Sequence, residues 1–453
     1  MREGIYRESL SSMEKSSKTV ILAPGPAHLF WTTSVYYVWE LSKAHSVVLV
    51  VDEGYLQDAL FQEVARLPNV VEVLYIPKIR NIFTRHRFYL KEFKKLIEKH
   101  DPVFVFQHSA AYIENIYLFR ACKKFQKNCY RICYQTGIAN VNWEAGFKRM
   151  IAYAIENLKN QYKVPTWIAR LLYRAYSVLK RWMNYYITPV LLTGRFFDPY
   201  FNIYTYRFNC SGEALKARLR NRYDLMLIYD QYERQNIAKV RGFDANVFHI
   251  AHPIESVGDE CNRVLYRSEE ESIISIFPTY GFSSFLSVTK GISEIDIEEE
   301  ISNNWISAVK VLSEKFPGYR FLWKLHPAAE NNTLMRAITE HVERECKDMV
   351  ILPPAENAQK LVVKSRVVVT DASSISCWAS LLKSKIAVCL DIFSYSLSDY
   401  ENVDGVLHFD SLDALASFDF RDTVKYEKRT GDNLPTLTDF VNGIMKNGIG
   451  ASL

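Results

Sequence analysis

Short apolar runs alternate with amphipathic stretches along most of the chain, and this rhythm limits the possible folds more than any other feature. Apolar runs fall at 19–23, 46–51, 70–76, 102–107 and 130–134, with two more at 225–229 and 247–251. Helical patterns separate them at 34–43, 55–66, 88–99, 113–125 and 231–241. A second series runs through 273–277, 319–325, 349–352, 366–370 and 386–391. Its helical patterns are 303–315, 332–344, 357–364 and 374–383, with a last one at 436–446. Strands apolar on both faces, each followed by a helix, predict parallel sheets of doubly wound type. The polar stretch 256–270 breaks the rhythm and reads as a linker.

The chain has 453 residues, 48% of them hydrophobic and 24% charged, enough for two domains with cores of their own. Disordered and fibrous classes are excluded. The expected fold is α/β, two Rossmann-like domains over 1–255 and 271–453 whose parallel sheets face a central cleft at their carboxyl ends. Lys and Arg number 56 against 51 Asp and Glu, so a general nucleic-acid coat is not expected. Eight cysteines without a CxxC pair point to neither a zinc ribbon nor a disulfide scaffold, and a reducing cytoplasm fits best. The first seventeen residues are polar and lack a signal-peptide core. Residues 19–39 carry no charge, but Pro24-Gly25-Pro26 cuts that run, giving strand, loop and helix rather than a membrane span.

One segment departs from the pattern. Between 159 and 222 there are twelve basic residues, opposed only by Asp198 and Glu213. Trp167, Leu171, Leu172, Tyr173, Tyr176, Leu179, Trp182, Tyr185 and Tyr186 are interleaved with them. Basic residues with Trp, Tyr and Leu at helical spacing suggest an insert, at about 157–222, that meets an anionic membrane surface. A helical hairpin packed on the first domain, with a solvated basic face, is the plainer alternative.

No GxGxxG follows a strand, and GxxxxGK[ST], GxSxG and HExxH are absent, which removes most support for dinucleotide binding and ordinary kinase chemistry. Asp296 and Glu298 sit in an acidic run that reads as a solvated face rather than a metal site. The informative residues end strands of the second series. The run 319–325 leads into Lys324-Leu325-His326-Pro327, and 366–370 into Asp371-Ala372-Ser373-Ser374 just before a helix. Ser373 and Ser374 take cap and first-turn positions, where hydroxyls, backbone N–H groups and the helix dipole suit a phosphate. His326 would lie near that phosphate as a donor, with Pro327 stiffening its turn. Taken singly, the serines can be a plain helix cap and the histidine structural.

These motifs resemble the GT-B glycosyltransferases that carry an HP motif followed by a serine pair. That group includes bacterial sialyltransferases, polysialyltransferases and Kdo transferases. The CDP-glycerol glycerophosphotransferases are similar, with their own HP and a TDYSS-like motif. The matching residues here are Lys324–Pro327, KLHP, and Thr370–Ser374, TDASS. The resemblance implies that His326 contacts the donor phosphate and helps its departure, and that Ser373 and Ser374 hold the same phosphate. It also implies that Glu356, in LPPAEN, grips the cytidine ribose, although capping the next helix is an alternative role. Lys324, Pro327, Asp371, Thr279 and Gly281 complete the expected donor set, the last two in the loop Phe277–Gly281.

The family also carries an acidic-acidic-Gly motif in its first domain, whose carboxylate deprotonates the acceptor. Asp52-Glu53-Gly54 matches it literally, but earlier in the domain than the family places it. At the later place stands Tyr134-Gln135-Thr136-Gly137, without an acid, and Glu144 follows seven residues on. Asp52, Glu53 and Glu144 therefore stay open as bases, with His108 or Asp230 behind them, and a cap remains the structural alternative for Asp52 and Glu53. Gly25, His28 and His108 are expected on the acceptor side. A second HP, His252-Pro253, reads as structural.

The leading expectation is a glycosyltransferase moving an acidic sugar of sialic acid or Kdo type from a CMP-activated donor to a surface-glycan hydroxyl. It needs no cofactor or metal. Its acceptor would be lipid-linked or polyanionic, and the enzyme peripheral on the inner face of the cytoplasmic membrane. That places it in capsule or lipopolysaccharide assembly by resemblance alone. A CDP-polyol phosphotransferase of teichoic-acid type, a UDP-sugar 2-epimerase and a non-catalytic GT-B scaffold are the alternatives.

Overall fold

A computed structural model describes residues 7–9, 18–23, 30–77, 82–107, 113–125, 128–134, 155, 158–159, 162–182, 224–229, 246–267, 271–279, 293–326, 329, 332–371, 373–382, 385–393, 403, 405–421 and 434–448. The expected helix at 231–241 lies outside them. The chain divides into two compact units. Met1–Thr136, Tyr176–Cys261 and Asn433–Leu453 form the first; Gly137–Ala175 and Asn262–Asp432 form the second.

The first unit is built on strands β1 (Arg7–Ser9), β2 (Thr19–Ala23), β3 (Ser46–Asp52), β4 (Val70–Ile76), β5 (Phe104–Gln107), β6 (Tyr130–Tyr134), β7 (Leu225–Ile228) and β8 (Val247–His249). They lie side by side as β1-β4-β3-β2-β5-β6-β7-β8. Every pairing is parallel except that of the short polar edge strand β1 with β4. Consecutive residues such as Val20, Ile21 and Leu22 are all buried, as a sheet covered on both faces requires. One face packs Ile21, Val48, Val50, Val105 and Ile228 against Tyr89, Phe93 and Leu96 of the helix Ile82–His100. Each fully buried aliphatic side chain contributes about 1.5–3 kcal/mol.

The second unit carries β9 (Glu271–Phe277), β10 (Arg320–Lys324), β11 (Met349–Leu352), β12 (Ser365–Thr370), β13 (Ile386–Leu390) and β14 (Val406–Phe409). Their order is β11-β10-β9-β12-β13-β14, all parallel. By position in the unit this is 3-2-1-4-5-6, the doubly wound Rossmann order, and the parallel strands of the first unit begin the same way. The helix Glu294–Lys315 buries Ile297, Ile301 and Trp305 at four-residue spacing. The Trp305 ring stands edge-on to Trp323 of β10 at 5.2 Å. The acidic run lies in the first turns of this helix, with Asp296 and Glu299 exposed. Strand β14, VLHF, was not among the apolar runs read from sequence, because His408 interrupts it. Gly405, at φ +76°, leads into it beside Ser380, whose Cβ a side chain there would approach to 3.3 Å.

Three expectations are corrected. The insert expected in the first domain at about 157–222 is divided, its residues up to Ala175 grouping with the second unit and those from Tyr176 with the first. The stretch read as a linker at 256–270 is largely the helix Pro253–Tyr266. Ile254, Val257, Cys261 and Leu265 are buried at helical spacing, a stripe masked by the polar residues between them. His252 caps the helix: its Nδ1 accepts the Ile254 N–H at 3.0 Å, while Glu255 accepts the His252 N–H at 3.2 Å. Burial pushes the His252 imidazole down to about 3, which keeps Nδ1 an acceptor. The 271–453 boundary is also corrected, because the helix Leu437–Asn447 belongs to the first unit. The Thr438 N–H donates to Glu40 at 2.9 Å, and the Phe440 ring lies 5.2 Å from Phe248.

Candidate functional site

In a doubly wound sheet the order reverses at one point, and ligands meet the carboxyl ends of the strands there. In the second unit that point lies between β9 and β12, which run in register with Phe277 opposite Thr370. Beyond β12 the chain makes a tight turn in which Asp371 O accepts the Ser373 N–H at 2.5 Å. The buried Asp371 carboxylate reaches across and accepts the Thr279 backbone N–H at 2.8 Å. It ties the loop after β9 to the loop after β12. The Thr279 hydroxyl is buried beside this contact, without a hydrogen-bond partner among the described residues.

Ser373 is the N-cap of the helix Ser374–Ser380, its Oγ accepting from the Ile375 N–H at 3.3 Å. The cap role open to it in the sequence is therefore present. A hydroxyl that accepts at its oxygen still carries a proton to donate, so the cap and an anion contact are compatible. Ser374 is the first residue of the helix.

His326 lies two residues beyond β10 and is half-buried. Burial first, and the Lys324 charge second, hold its imidazole below the ordinary histidine value. It therefore stands as a neutral imidazole with one N–H to donate at neutral pH. Lys324 is itself buried, and its ammonium donates to Leu325 O at 2.6 Å and Pro354 O at 2.8 Å. That clasp joins the end of β10 to the turn after β11. Burial lowers the Lys324 pKa, and the charge of Glu356 in that turn opposes the fall. The next helix, Ala358–Lys364, is capped by Asn357 Oδ1 on the Lys360 N–H at 3.1 Å, so the capping role weighed for Glu356 belongs to Asn357.

Glu356, His326 with Lys324, Thr279, and Asp371 with Ser373 thus follow the ends of four consecutive strands, β11, β10, β9 and β12, at one edge of one sheet. At about 4.8 Å per strand that edge is roughly 14 Å long, more than one phosphate needs.

In the first unit Asp52 ends β3 and caps the short helix Glu53–Gln57, accepting the Gly54 N–H at 2.9 Å. Glu53 is exposed in its first turn. Asp58 then caps a separate helix, Ala59–Ala65, in place of the single helix expected over 55–66. Gly25, His28, His108, Glu144, Asp230, Gly281 and Pro327 lie outside the described residues.

Sequence reading missed a buried polar cluster at the ends of β6 and β7. Tyr134 bonds Ser34 at 2.7 Å and stacks on Tyr37 at 4.2 Å; the Tyr37 hydroxyl meets that of Tyr229. Burial raises the pKa of all three tyrosines. The partners lie 100 and 192 residues apart, so no local pattern signals them. Among the described residues no three His, Cys, Asp or Glu side chains gather as a metal site, and no helix is long and apolar enough to cross a membrane.

No protein-family model and no curated protein matches the chain. Solved structures do. A UDP-GlcNAc 2-epimerase from Methanocaldococcus jannaschii is 11% identical over 94% of this chain and 99% of its own, with a TM-score of 0.49. A glycosyltransferase from Rickettsia africae is 11% identical over 95% and 98%, with a TM-score of 0.45. A UDP-GlcNAc 2-epimerase from Neisseria meningitidis, bound to UDP-GlcNAc, is 12% identical over 95% and 99%, with a TM-score of 0.44. Likeness at this level carries no functional argument. The fold rests on the strand orders themselves, which make the chain an α/β protein of two Rossmann-like units.

Proposed function

We propose that the chain is a glycosyltransferase whose nucleotide-sugar donor is held at the carboxyl edge of the second sheet. The observation that carries this reading is the line of Glu356, His326, Thr279 and Ser373 along four consecutive strand ends, braced by Lys324 and Asp371. Ser373, Ser374 and His326 contact the donor phosphate, with Gly281 and Pro327 in the loops beside them. Glu356 accepts hydrogen bonds from the ribose hydroxyls. The donor is a CMP-activated acidic sugar, as the HP and serine-pair resemblance implies.

In the reaction the acceptor oxygen forms a bond to the anomeric carbon while the bond from that carbon to the phosphate oxygen breaks. CMP leaves with the electron pair. The neutral His326 donates its N–H to the departing phosphate, and the serine hydroxyls and helix-start N–H groups spread its charge. They supply stabilisation that a metal provides elsewhere, so no cofactor is required. The acceptor proton goes to a carboxylate, with Asp52, Glu53 and Glu144 as the candidates. Gly25, His28 and His108 are proposed on the acceptor side. The acceptor is a lipid-linked or polyanionic glycan, and the enzyme works at the inner surface of the cytoplasmic membrane.

The test is calorimetric titration of CMP, CDP, UDP and GDP into the wild type and Glu356→Gln. Binding of CMP that weakens in the variant supports the cytidine site. Preference for UDP sinks it and favours a UDP-sugar transferase or epimerase. Binding of none of the four removes the donor site.

A further inference from the structure

The helix Thr166–Trp182 presents its apolar side to solvent. Trp167 is 66% exposed, Leu171 59%, Leu172 42% and Tyr176 58%. Among the side chains described from 166 to 176, only Ala169 is buried, and Ile168 and Tyr173 on either side of it are half-buried. At about 100° per residue the four exposed apolar side chains cover an arc of roughly 180° that also holds the half-buried Ile168, and Ala169 and Tyr173 fall together outside it. Arg170 and Arg174, both exposed, border the arc next to Trp167. No Asp or Glu occurs from 157 to 197.

Four large apolar side chains in water on one helix are costly unless something covers them. The charge decides what. A second copy of the chain would set the same arginines against each other with no acid on the segment to offset them. An anionic surface meets every charge with its opposite. Trp and Tyr favour the headgroup region, where an apolar ring and a polar edge are both satisfied, and flanking Arg side chains reach the phosphates. No helix among the described residues, this one included, is long and apolar enough to cross a membrane.

We propose that this helix is an in-plane anchor on anionic phospholipid: Trp167, Leu171, Leu172 and Tyr176 insert among the headgroups, and Arg170 and Arg174 pair with lipid phosphates. The inference deepens the membrane placement proposed above and rests on that part of the reading only.

The test is cosedimentation of the full chain with vesicles of phosphatidylcholine alone or mixed with phosphatidylglycerol, with CMP titration of the same samples in solution. The wild type is expected to bind the mixed vesicles at least tenfold more tightly, with affinity falling as salt rises. Trp167→Glu with Leu171→Glu abolishes binding. Arg170→Gln with Arg174→Gln weakens it about fivefold per charge and flattens the salt dependence. CMP binding is unchanged in both variants. Equal binding to both vesicle types, wild-type binding by the glutamate variant, or no vesicle binding by the wild type each overturns the anchor. A wild type that ignores vesicles but dimerises, and becomes monomeric as Leu171→Glu, assigns the face to a second copy. Loss of CMP binding with vesicle binding intact sinks the donor site and leaves the anchor standing.

Discussion

The backbone N–H of Thr279 and the carboxylate of Asp371, 92 residues apart, meet at 2.8 Å across the point where the second sheet reverses its strand order. Asp371 reads from sequence as a ligand contact, and the fold makes it a brace. Asp371→Ala leaves the Thr279 N–H without its acceptor and is expected to cost about 1–3 kcal/mol. Asp371→Asn keeps an acceptor oxygen and costs less. Urea unfolding ranks the two; equal losses would mean that the hydrogen bond is not what Asp371 supplies.

Ser373 combines a cap with a proposed phosphate contact, and one substitution separates them. Asp is as good a cap as Ser, so Ser373→Asp is expected to melt within about 0.5 kcal/mol of the wild type. Its negative charge faces the phosphate, so nucleotide affinity falls at least tenfold. Ser373→Ala loses about 1 kcal/mol of stability and binds more weakly than the wild type. Wild-type affinity in Ser373→Asp removes Ser373 from the phosphate site.

His326 should make nucleotide binding depend on pH. In the unliganded protein its pKa is depressed by burial and by Lys324. A bound phosphate raises it again, so binding takes up a proton between the two values and affinity falls as pH rises through that window. Without ligand the depressed value means that the unfolded chain binds more protons, so this group adds stability as pH rises towards about 6.5 and none is gained beyond it. His326→Asn flattens the affinity profile in calorimetry at several pH values. In a transfer assay His326→Ala lowers kcat by roughly 10²–10⁴.

Glu72 should shape the acid limb of stability. It is 1% exposed on β4, bonded by Lys99 at 2.5 Å and His100 at 2.6 Å. Burial alone would raise its pKa, but the hydrogen bonds from His100 and Lys99 overturn that and bring it to about 2. The stabilisation is complete above the unfolded value of about 4.3 and is lost as pH falls towards 2. Glu72→Gln is less stable at pH 7, and its urea midpoint changes less between pH 5 and 2 than that of the wild type.

The strands were legible because parallel strands covered on both faces read as near-continuous apolar runs, a signal that needs no partner. Thr19–Ala23 and Val70–Ile76 fall where the pattern puts them. The site was partly legible, because His326 and Ser373 follow strand ends and sheet order brings those ends together. What stayed hidden depends on distant partners. The Tyr37–Tyr229 pair and the Glu40 contacts to Ser256 and Thr438 have no local pattern. The helix Pro253–Tyr266 was hidden otherwise, since the exposed Asp259 and Glu260 sit between its buried residues and a histidine is an uncommon cap.

The helix Leu437–Asn447 returns to the unit that the chain starts with. On a ribosome the first unit is therefore begun earliest and finished last. Every strand of the second sheet has been made before Phe440 reaches Phe248 and Thr438 reaches Glu40. Until then Glu40 waits with part of its hydrogen bonding unmet, and the nascent first unit is the one that needs shelter from aggregation.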